Sequence, residues 1–193
     1  MQWNNKYIYP KSTRSIVDGS RHYSVNEERL PSVTTILKAT ESDEKKASLQ
    51  AWKQRVGQKQ AAIITREASS RGSSMHEYLE KFLLGKLNLD LLGDNTKERM
   101  MADQIIENGL RGKLNEIWGC EATLYYPGKY AGATDCVGVY ENKETIIDFK
   151  QSNKPKKDEW ISDYYMQVSA YALAHDIVHG SNIIQAVILL CTK

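Results

Sequence analysis

Two acidic residues and a lysine lie close together in one short stretch of this sequence, residues 130–150. The stretch predicts two strands joined by a tight turn, with Asp135 near the start of the first strand. Asp148 and Lys150 come near the end of the second strand, and their spacing of two places both side chains on the same face of a sheet. Two carboxylates and an ammonium group at the tip of a buried hairpin are suited to hold a hard divalent cation against a phosphate.

A second group of polar residues belongs to two predicted helices. Residues 58–84 carry apolar side chains at three- and four-residue spacing, which predicts a long helix with His76 and Glu80 one turn apart beside its apolar stripe. Gln167 and Tyr171 are likewise one turn apart on a later amphipathic segment. Taken alone, a helical histidine or a buried polar pair is most often a structural residue with satisfied hydrogen bonds.

Four short motifs, in this order, resemble those of the PD-(D/E)XK nuclease superfamily, and in particular its RecB-type nucleases. They span roughly residues 70–175 and are Gly72-x-x-x-His76, Tyr130-Ala-Gly-Ala-Thr-Asp135, Asp148-Phe-Lys150-Gln-Ser-Asn-Lys-Pro-Lys and Gln167-x-x-x-Tyr171. Residues 30–37, Leu-Pro-Ser-Val-Thr-Thr-Ile-Leu, are also similar to the mitochondrial genome maintenance exonucleases and their phage relatives. The resemblance implies an α/β, restriction-endonuclease-like core, with a mixed central β-sheet flanked by helices and a helical N-terminal half.

The resemblance implies a metal site. Asp135, Asp148 and the carbonyl oxygen of Phe149 are expected to coordinate Mg²⁺ or Mn²⁺, because hard divalent cations prefer oxygen ligands. His76 is expected to join them, as the motif histidine does in RecB-type enzymes. Further candidate ligands are Glu80 and Glu121.

The resemblance also implies roles for the remaining polar residues. Lys150 is expected to position or activate the attacking water, or to stabilise charge on the phosphate, and Gln167 and Tyr171 are expected to orient these groups. Residues expected to contact nucleic acid are Arg71, Ser73, Lys154, Lys156, Lys157, Trp52 and Lys53. For the basic residues a solvated surface is the ordinary alternative, and for Trp52 the alternative is a place in the core.

These residues favour metal-dependent hydrolysis of DNA phosphodiester bonds, expected to be exonucleolytic on single-stranded ends during DNA replication, recombination or repair. Two alternatives remain open. The first is a structure-specific or site-specific endonuclease of the same fold, and the second is a non-catalytic nucleic-acid-binding recombination partner. Intact Asp135, Asp148 and Lys150 argue against the second.

Length and composition predict one domain, which the resemblance implies is a nuclease domain. The 193 residues carry 41% hydrophobic and 26% charged residues, with a net charge of +2 that does not by itself indicate a nucleic-acid binder. We expect an arm over residues 1–30, a mainly helical part over 31–118 and a sheet core over 119–193. The predicted elements are a strand at 21–25, helices at 33–38, 43–56, 58–84 and from Asp94 to about 118, strands at 120–126 and 183–191, and a helix at 160–178. The resemblance implies a further C-terminal helix, so we expect the sequence to be truncated.

Cysteine content and apolar runs indicate the compartment. The three cysteines, Cys120, Cys136 and Cys191, are widely spaced, which argues against a disulfide framework, a structural zinc site and an iron–sulfur cluster. No apolar run is long enough for a membrane span, and the N-terminus lacks a signal peptide or a mitochondrial presequence. We therefore expect a cytoplasmic protein that is bacterial or phage-encoded.

Overall fold

Helices and strands alternate in blocks along the chain, in a computed structural model that describes residues 1–87 and 96–192. In chain order the elements are β1 (Gln2–Trp3), β2 (Thr13–Val17), β3 (Ser20–Val25), β4 (Glu28–Pro31), α1 (Val33–Ala39), α2 (Asp43–Val56), α3 (Gln58–Leu83), α4 (Lys97–Ile105), a π-helical turn (Ile106–Leu110), β5 (Leu114–Tyr126), β6 (Tyr130–Tyr140), β7 (Lys143–Ser152), a 3₁₀ turn (Asp158–Trp160), α5 (Ser162–His179) and β8 (Gln185–Thr192).

A five-stranded mixed sheet forms the centre of the fold, in the spatial order β1-β5-β6-β7-β8. Strands β5, β6 and β7 form an antiparallel meander, whereas β1 pairs in parallel with β5 and β8 pairs in parallel with β7. Helices pack on both faces of the sheet. The predicted class, α/β with a mixed central sheet flanked by helices, is confirmed.

Alternation of side chains along β7 divides its residues between the two cores. Ile147 and Phe149 are buried in the core that contains Met75 of α3 and the apolar residues of α4. Ile146 is buried on the opposite face, where Val168 of α5 packs. Since residues two apart share a face, the side chains of the even-numbered residues of β7 leave the sheet on the α5 side.

The turn between β6 and β7 fixes the register of this hairpin. Glu141 and Asn142 both adopt the left-handed conformation, with φ of 48° and 66°, between the paired residues Tyr140 and Lys143. Two consecutive left-handed residues are typical of the tight turns whose twist matches that of antiparallel strands. The hairpin predicted from the sequence is therefore present, with its register set at this turn.

The N-terminal residues form a second, three-stranded antiparallel sheet, β2-β3-β4. Its apolar face, which includes Tyr23, Val25 and Leu30, packs on Ala131 of β6. An isolated parallel bridge between Ser32 and Ala131 joins the end of this sheet to the main one. The strand predicted at 21–25 lies within β3.

The prediction of a helix from Asp94 to about residue 118 is wrong in its second half. Helix α4 ends at Ile105, a π-helical turn follows, and Gly112, with a left-handed φ of 72°, lies in the turn that leads into β5. The apolar residues Leu114 and Ile117 are buried as expected, but on a strand. Asp94, the predicted cap, lies outside the described residues, and the cap of α4 is Thr96, whose hydroxyl accepts a hydrogen bond from the Arg99 amide.

Helix α2 has the predicted bounds but not the predicted environment. It contains no buried residue, and Leu49 on its apolar side is 45% exposed. Trp52 is half-buried, so the interpretation of Trp52 as a core residue is wrong.

Candidate active site

Asp135 connects the two strands of the hairpin and the long helix. Its Oδ2 accepts a hydrogen bond from the backbone amide of Phe149 at 2.6 Å, and its Oδ1 lies 3.0 Å from Nδ1 of His76. The carboxylate is nearly buried, with a residue exposure of 9%. Strand β6, strand β7 and helix α3 therefore meet at this single side chain.

His76 lies on α3 with one edge of its ring against the hairpin. Burial alone would lower the pKa of His76, but its hydrogen bond to Asp135 and the charge of that carboxylate outweigh burial and raise the pKa. The ring meets the Phe149 ring edge to face, with 6.2 Å between the ring centres. These contacts hold the imidazole against the sheet.

Glu121 completes a group of three potential metal ligands. Single ligand atoms of His76, Glu121 and Asp135 all lie within 4.8 Å of one another. On β5, Glu121 has a left-handed φ of 49°. It lies between Cys120 and Ala122, whose register partners flank Asp135 on β6.

Two carboxylates at opposed positions of neighbouring strands repel each other. Partial burial of the Glu121 carboxyl and, to a smaller extent, the charge of Asp135 raise its pKa to about 7. Such a pair is destabilising unless a cation or a proton offsets it, so this arrangement fits a cation site.

Asp148 and Lys150 form the second part of the site, on the α5 side of β7. Asp148 is only 2% exposed, and burial raises the pKa of its carboxyl from the ordinary 3.8 to about 6, although Lys150 acts in the opposite direction. The Lys150 ammonium lies against Oδ2 of Asp148 and stabilises the ionised carboxylate, both by its charge and as a hydrogen-bond donor.

Gln167 and Tyr171 face the site from α5, one turn apart. The Gln167 amide donates to the Tyr171 hydroxyl over 3.1 Å, and both side chains are buried. Burial raises the pKa of Tyr171, so the phenol remains protonated. The ring lies on Gly132 of β6, where an added Cβ would come within 2.6 Å of a ring carbon. The absence of a side chain at residue 132 thus places Tyr171 close to the hairpin.

One open cavity of about 520 Å³ joins these residues. It is lined by His76, Glu121, Asp135, Asp148, Phe149, Lys150, Gln167 and Tyr171, so the structure brings together every predicted catalytic residue and every predicted ligand except Glu80. Glu80 lies one turn further along α3 and contributes only a weak, pKa-raising charge at Glu121. Glu121 is thus a much better candidate ligand than Glu80.

The predicted nucleic-acid-binding residues are distributed around the cavity and its neighbours. Ser73 lines both the cavity and a second one that Lys53 also lines. Trp52, Lys154 and Lys156 line a third cavity of about 600 Å³. Lys157 is exposed and lies 3.8 Å from Glu159.

Arg71 is buried and does not lie on the protein surface. Its guanidinium donates to Gln151 over 3.0 Å and also to Asn153, which ties α3 to the end of β7. Gly72 lies beside the same glutamine, and an added Cβ would meet that side chain at an ordinary 3.6 Å. The residue that lies against Gly72 is therefore Gln151.

The cavity is also lined by residues that were not predicted from the sequence to belong to the site. Arg14 and Arg21 come from the N-terminal sheet, and Ser32 and Thr34 come from the start of α1. Their sequence separation from the hairpin hides this proximity, and only the 30–37 motif pointed to this part of the chain.

The donors present fit a divalent cation. His76, Glu121 and Asp135 offer one nitrogen and two kinds of carboxylate oxygen at mutual distances that one ion can span, and Asp148 supplies a further carboxylate in the same cavity. Oxygen-rich sites of this kind favour hard ions, whereas iron–sulfur clusters are held by thiolates. The residues that best fit a metal are thus His76, Glu121, Asp135 and Asp148.

Fold and site together define a mixed α/β protein with an acidic, metal-compatible cleft beside the central hairpin, at the end of the β6–β7 pairing away from the turn. Comparison with curated proteins finds three matches, all named mitochondrial genome maintenance exonuclease 1. The chain is 32% identical over 160 residues to the Xenopus tropicalis protein, covering 76% of this chain and 44% of that protein. It is 31% identical over 177 residues to the Mus musculus protein and 29% identical over 175 residues to the Homo sapiens protein, with 85% of this chain covered in both cases.

The chain spans about half the length of the curated relatives it matches. No family model matches it. The similarity supports a relationship to this exonuclease family over the part of the relatives that the chain covers, in agreement with the predicted subgroup. The wider superfamily assignment and the phage relatives stay predictions.

Among the described residues, no helix is long and apolar enough to cross a membrane. The curated relatives are vertebrate proteins with mitochondrial names, so they give no support to the predicted bacterial or phage origin, and the predicted cytoplasmic location stays a prediction. Cys120, Cys136 and Cys191 are all free thiols.

Proposed function

We propose that the chain is a metal-dependent DNA exonuclease that hydrolyses phosphodiester bonds at single-stranded ends, in DNA replication, recombination or repair. The observation that carries the proposal is the grouping of His76, Glu121 and Asp135 within 4.8 Å in a cavity shared with Asp148 and Lys150. Similarity to proteins named exonucleases supports the same conclusion.

The expected cofactor is Mg²⁺, with Mn²⁺ as a substitute, because the donors are mainly carboxylates. A bound divalent cation would neutralise phosphate charge and lower the pKa of a coordinated water. His76, Glu121, Asp135 and Asp148 would hold it, and the Phe149 amide fixes the orientation of the Asp135 carboxylate. Glu121 and Asp148 have raised pKa values, so both carboxyls would give up protons more readily with the cation present.

Lys150 supplies the positive charge of the site. Its ammonium lies beside Asp148, and its side chain passes over the Tyr164 ring at 5.1 Å from the ring centre. Asp148 and Tyr164 thus keep the ammonium inside the cavity, where it would stabilise charge that develops on the phosphate oxygens. Removal of one such preorganised group typically costs on the order of 10²–10³ in rate.

Gln167 and Tyr171 are suited to orientation rather than proton transfer. Because burial raises the pKa of Tyr171, its hydroxyl is a donor that does not ionise near neutral pH. The Gln167 amide hydrogen bond leaves the phenolic hydrogen free to donate towards the cavity. Together they would fix the phosphate or the attacking water against the hairpin.

The proposal is tested by digestion of end-labelled linear single-stranded, linear double-stranded and circular single-stranded DNA with Mg²⁺. We expect mononucleotides or short products from linear single strands alone, and we expect Lys150→Ala to lose at least a hundredfold in rate. The matched control is Lys143→Ala, an exposed lysine at the other end of β7. It should cleave as the unchanged chain does.

Other outcomes would replace the proposal with one of its alternatives. Cleavage of circular DNA would indicate an endonuclease. Binding of single strands in EDTA and in Mg²⁺ without any product would indicate a non-catalytic binding protein.

A further inference from the structure

The N-terminal sheet contributes two arginines to the wall of the proposed catalytic cleft. Arg14 on β2 and Arg21 on β3 line the same cavity as Asp135 and Asp148. Both belong to the segment predicted as an arm, with Arg21 at the start of the strand predicted at 21–25, and neither is among the predicted nucleic-acid contacts. Their position raises the question of what they bind.

Strand register places the two arginines on one face of the small sheet. Arg14 is paired with Tyr23, and Arg21 precedes Tyr23 by two residues on the same strand. Residues in register share a face, and so do alternate residues of a strand. All three residues line the cavity. This face of the sheet is therefore directed at the hairpin carboxylates.

Arg14 interacts electrostatically with Glu121 across the cleft, but neither guanidinium forms a close ion pair within the part of the chain that the structure describes. No ion pair within 4.0 Å joins Arg14 or Arg21 to an acid in the described ranges, 1–87 and 96–192, although surface lysines such as Lys6 and Lys45 do form such pairs. Both arginines are exposed to solvent. Two exposed guanidinium groups that form no close ion pair in the described ranges can bind an anion beside this acidic cleft, which the acids alone would repel.

The backbone of Arg21 is fixed with respect to the catalytic strand. Its amide donates to the Thr35 hydroxyl over 3.1 Å, and its carbonyl accepts from that hydroxyl and from the Ser32 amide. Ser32 forms the bridge to Ala131 on β6, four residues before Asp135. A side chain attached to this fixed backbone is suited to bind a phosphate beside the hairpin, which is the requirement for a contact that adds binding affinity.

We propose that Arg14 and Arg21 bind backbone phosphates of the nucleic-acid strand next to the phosphate that is cleaved. The N-terminal sheet then forms one wall of the strand-binding channel. This inference rests on the proposed nuclease function and adds a specific binding surface to it. The contacts are to phosphate, so they are independent of base sequence.

Salt dependence gives the measurable signature. Each phosphate neutralised on a single strand contributes about 0.7 to the slope of log affinity against log salt concentration. Conversion of both arginines to glutamine is thus expected to reduce that slope by about 1.4, and each single change by about 0.7. When KCl is raised from 50 to 200 mM, the fold decrease in affinity should be about seven times larger for the unchanged chain than for the double variant.

The experiment measures binding of a fluorescein-labelled single-stranded oligonucleotide by anisotropy, with Mg²⁺ present and Asp148→Asn as the background that leaves the strand intact. The variants are Arg14→Gln, Arg21→Gln and the double change. The control is Arg29→Gln, an exposed arginine of β4 that pairs with Ser24 on the other face of the sheet. The same arginine variants without the Asp148 change should show a raised KM and a kcat within about twofold of the unchanged chain.

The outcomes separate this inference from the proposed function. If the unchanged chain digests linear single strands while the double variant keeps the original slope and KM, the phosphate contact is overturned and the nuclease stands. The phosphate contact would also be overturned if the double variant lost affinity only to the extent that its melting temperature fell. That result would indicate that the two arginines have a structural role. A chain that neither binds nor digests DNA overturns both proposals.

Discussion

Replacement of Asp148 by asparagine should stabilise the metal-free protein while it removes activity. The carboxyl is almost fully buried, and burial together with Asp135 raises its pKa from 3.8 to about 6 even though Lys150 acts against the rise. At pH 7.5 the Asp148 carboxyl is ionised in both the folded and the unfolded chain. The ionised carboxyl is less stable when it is buried in the folded chain than when it is exposed to water in the unfolded chain. A neutral side chain of the same shape removes this penalty.

The size of the effect follows from the pKa. A rise of about two pKa units corresponds to about 3 kcal/mol of lost folding free energy at pH 7.5. Because the folded pKa of an acid is raised, the penalty is fully present above pH 6 and disappears below the unfolded value. It should fall to about one third at pH 4.5. Lys150 loses its ionic neighbour in the variant, so we expect Asp148→Asn to gain between about 1 and 3 kcal/mol.

The assay is urea denaturation in EDTA at pH 7.5 and 4.5, repeated at pH 7.5 with Mg²⁺. The stability gain of Asp148→Asn over the unchanged chain should be largest in EDTA at pH 7.5. It should shrink with Mg²⁺, because an ion that binds the native site at 100 times its Kd stabilises the chain by about 2.7 kcal/mol. Asp18→Asn is the matched control, an exposed turn residue with a φ of 49° that asparagine tolerates.

Two results would refute this reasoning. One is a variant that is less stable than the unchanged chain in EDTA at pH 7.5, which would mean that the Lys150 contact outweighs the burial of the Asp148 charge. The other is a stability gain that is independent of pH. Asp18→Asn should show no change beyond about 0.5 kcal/mol under any of these conditions.

Two further predictions concern metal affinity and packing. Protons compete with a cation for His76 and Glu121, and the pKa values of both groups are raised. The Mg²⁺ concentration that gives half-maximal activity should therefore fall as the pH rises from 6 to 8. A concentration that does not change with pH would contradict the proposed metal site. Gly132→Ala should displace the Tyr171 ring, lower kcat at least tenfold and reduce stability by about 1–3 kcal/mol, as measured by kinetics and thermal denaturation. Gly72→Ala is the control, because its Cβ has room and alanine favours a helix by about 1 kcal/mol.

Local patterns gave the most reliable predictions. The hairpin and its turn depend on residues close in sequence, and so do the bounds of α2 and α3, which end and begin at Gly57 with its left-handed φ of 86°. The catalytic candidates followed from motif order and not from any local rule. Nothing in the sequence states that Asp135 accepts from the Phe149 amide, yet this hydrogen bond orients the carboxylate.

Predictions failed where tertiary contacts decide between alternatives. The spacing of Leu114 and Ile117 fits a helix face as well as a strand, and pairing with β6 selects the strand. The apolar side of α2 suggested a core contact for Trp52, but the helix packs too loosely to bury any residue. Arg14 and Arg21 were missed because an exposed arginine on a polar strand carries no signal until the sheet is folded against the hairpin.

The contacts of Asp135 also set an order of assembly. Its partner Phe149 is 14 residues away, within one hairpin, whereas its partner His76 is 59 residues away on a separate helix. Contacts between near neighbours close a short loop and form early, while distant ones wait for larger chain closure. The acidic hairpin is therefore expected to form before α3 packs against it and His76 contacts Asp135. An ion that bridges His76 and Asp135 would join the late contact to the early one and slow the release of α3. The residues proposed to bind the metal would then also influence how long the folded chain persists.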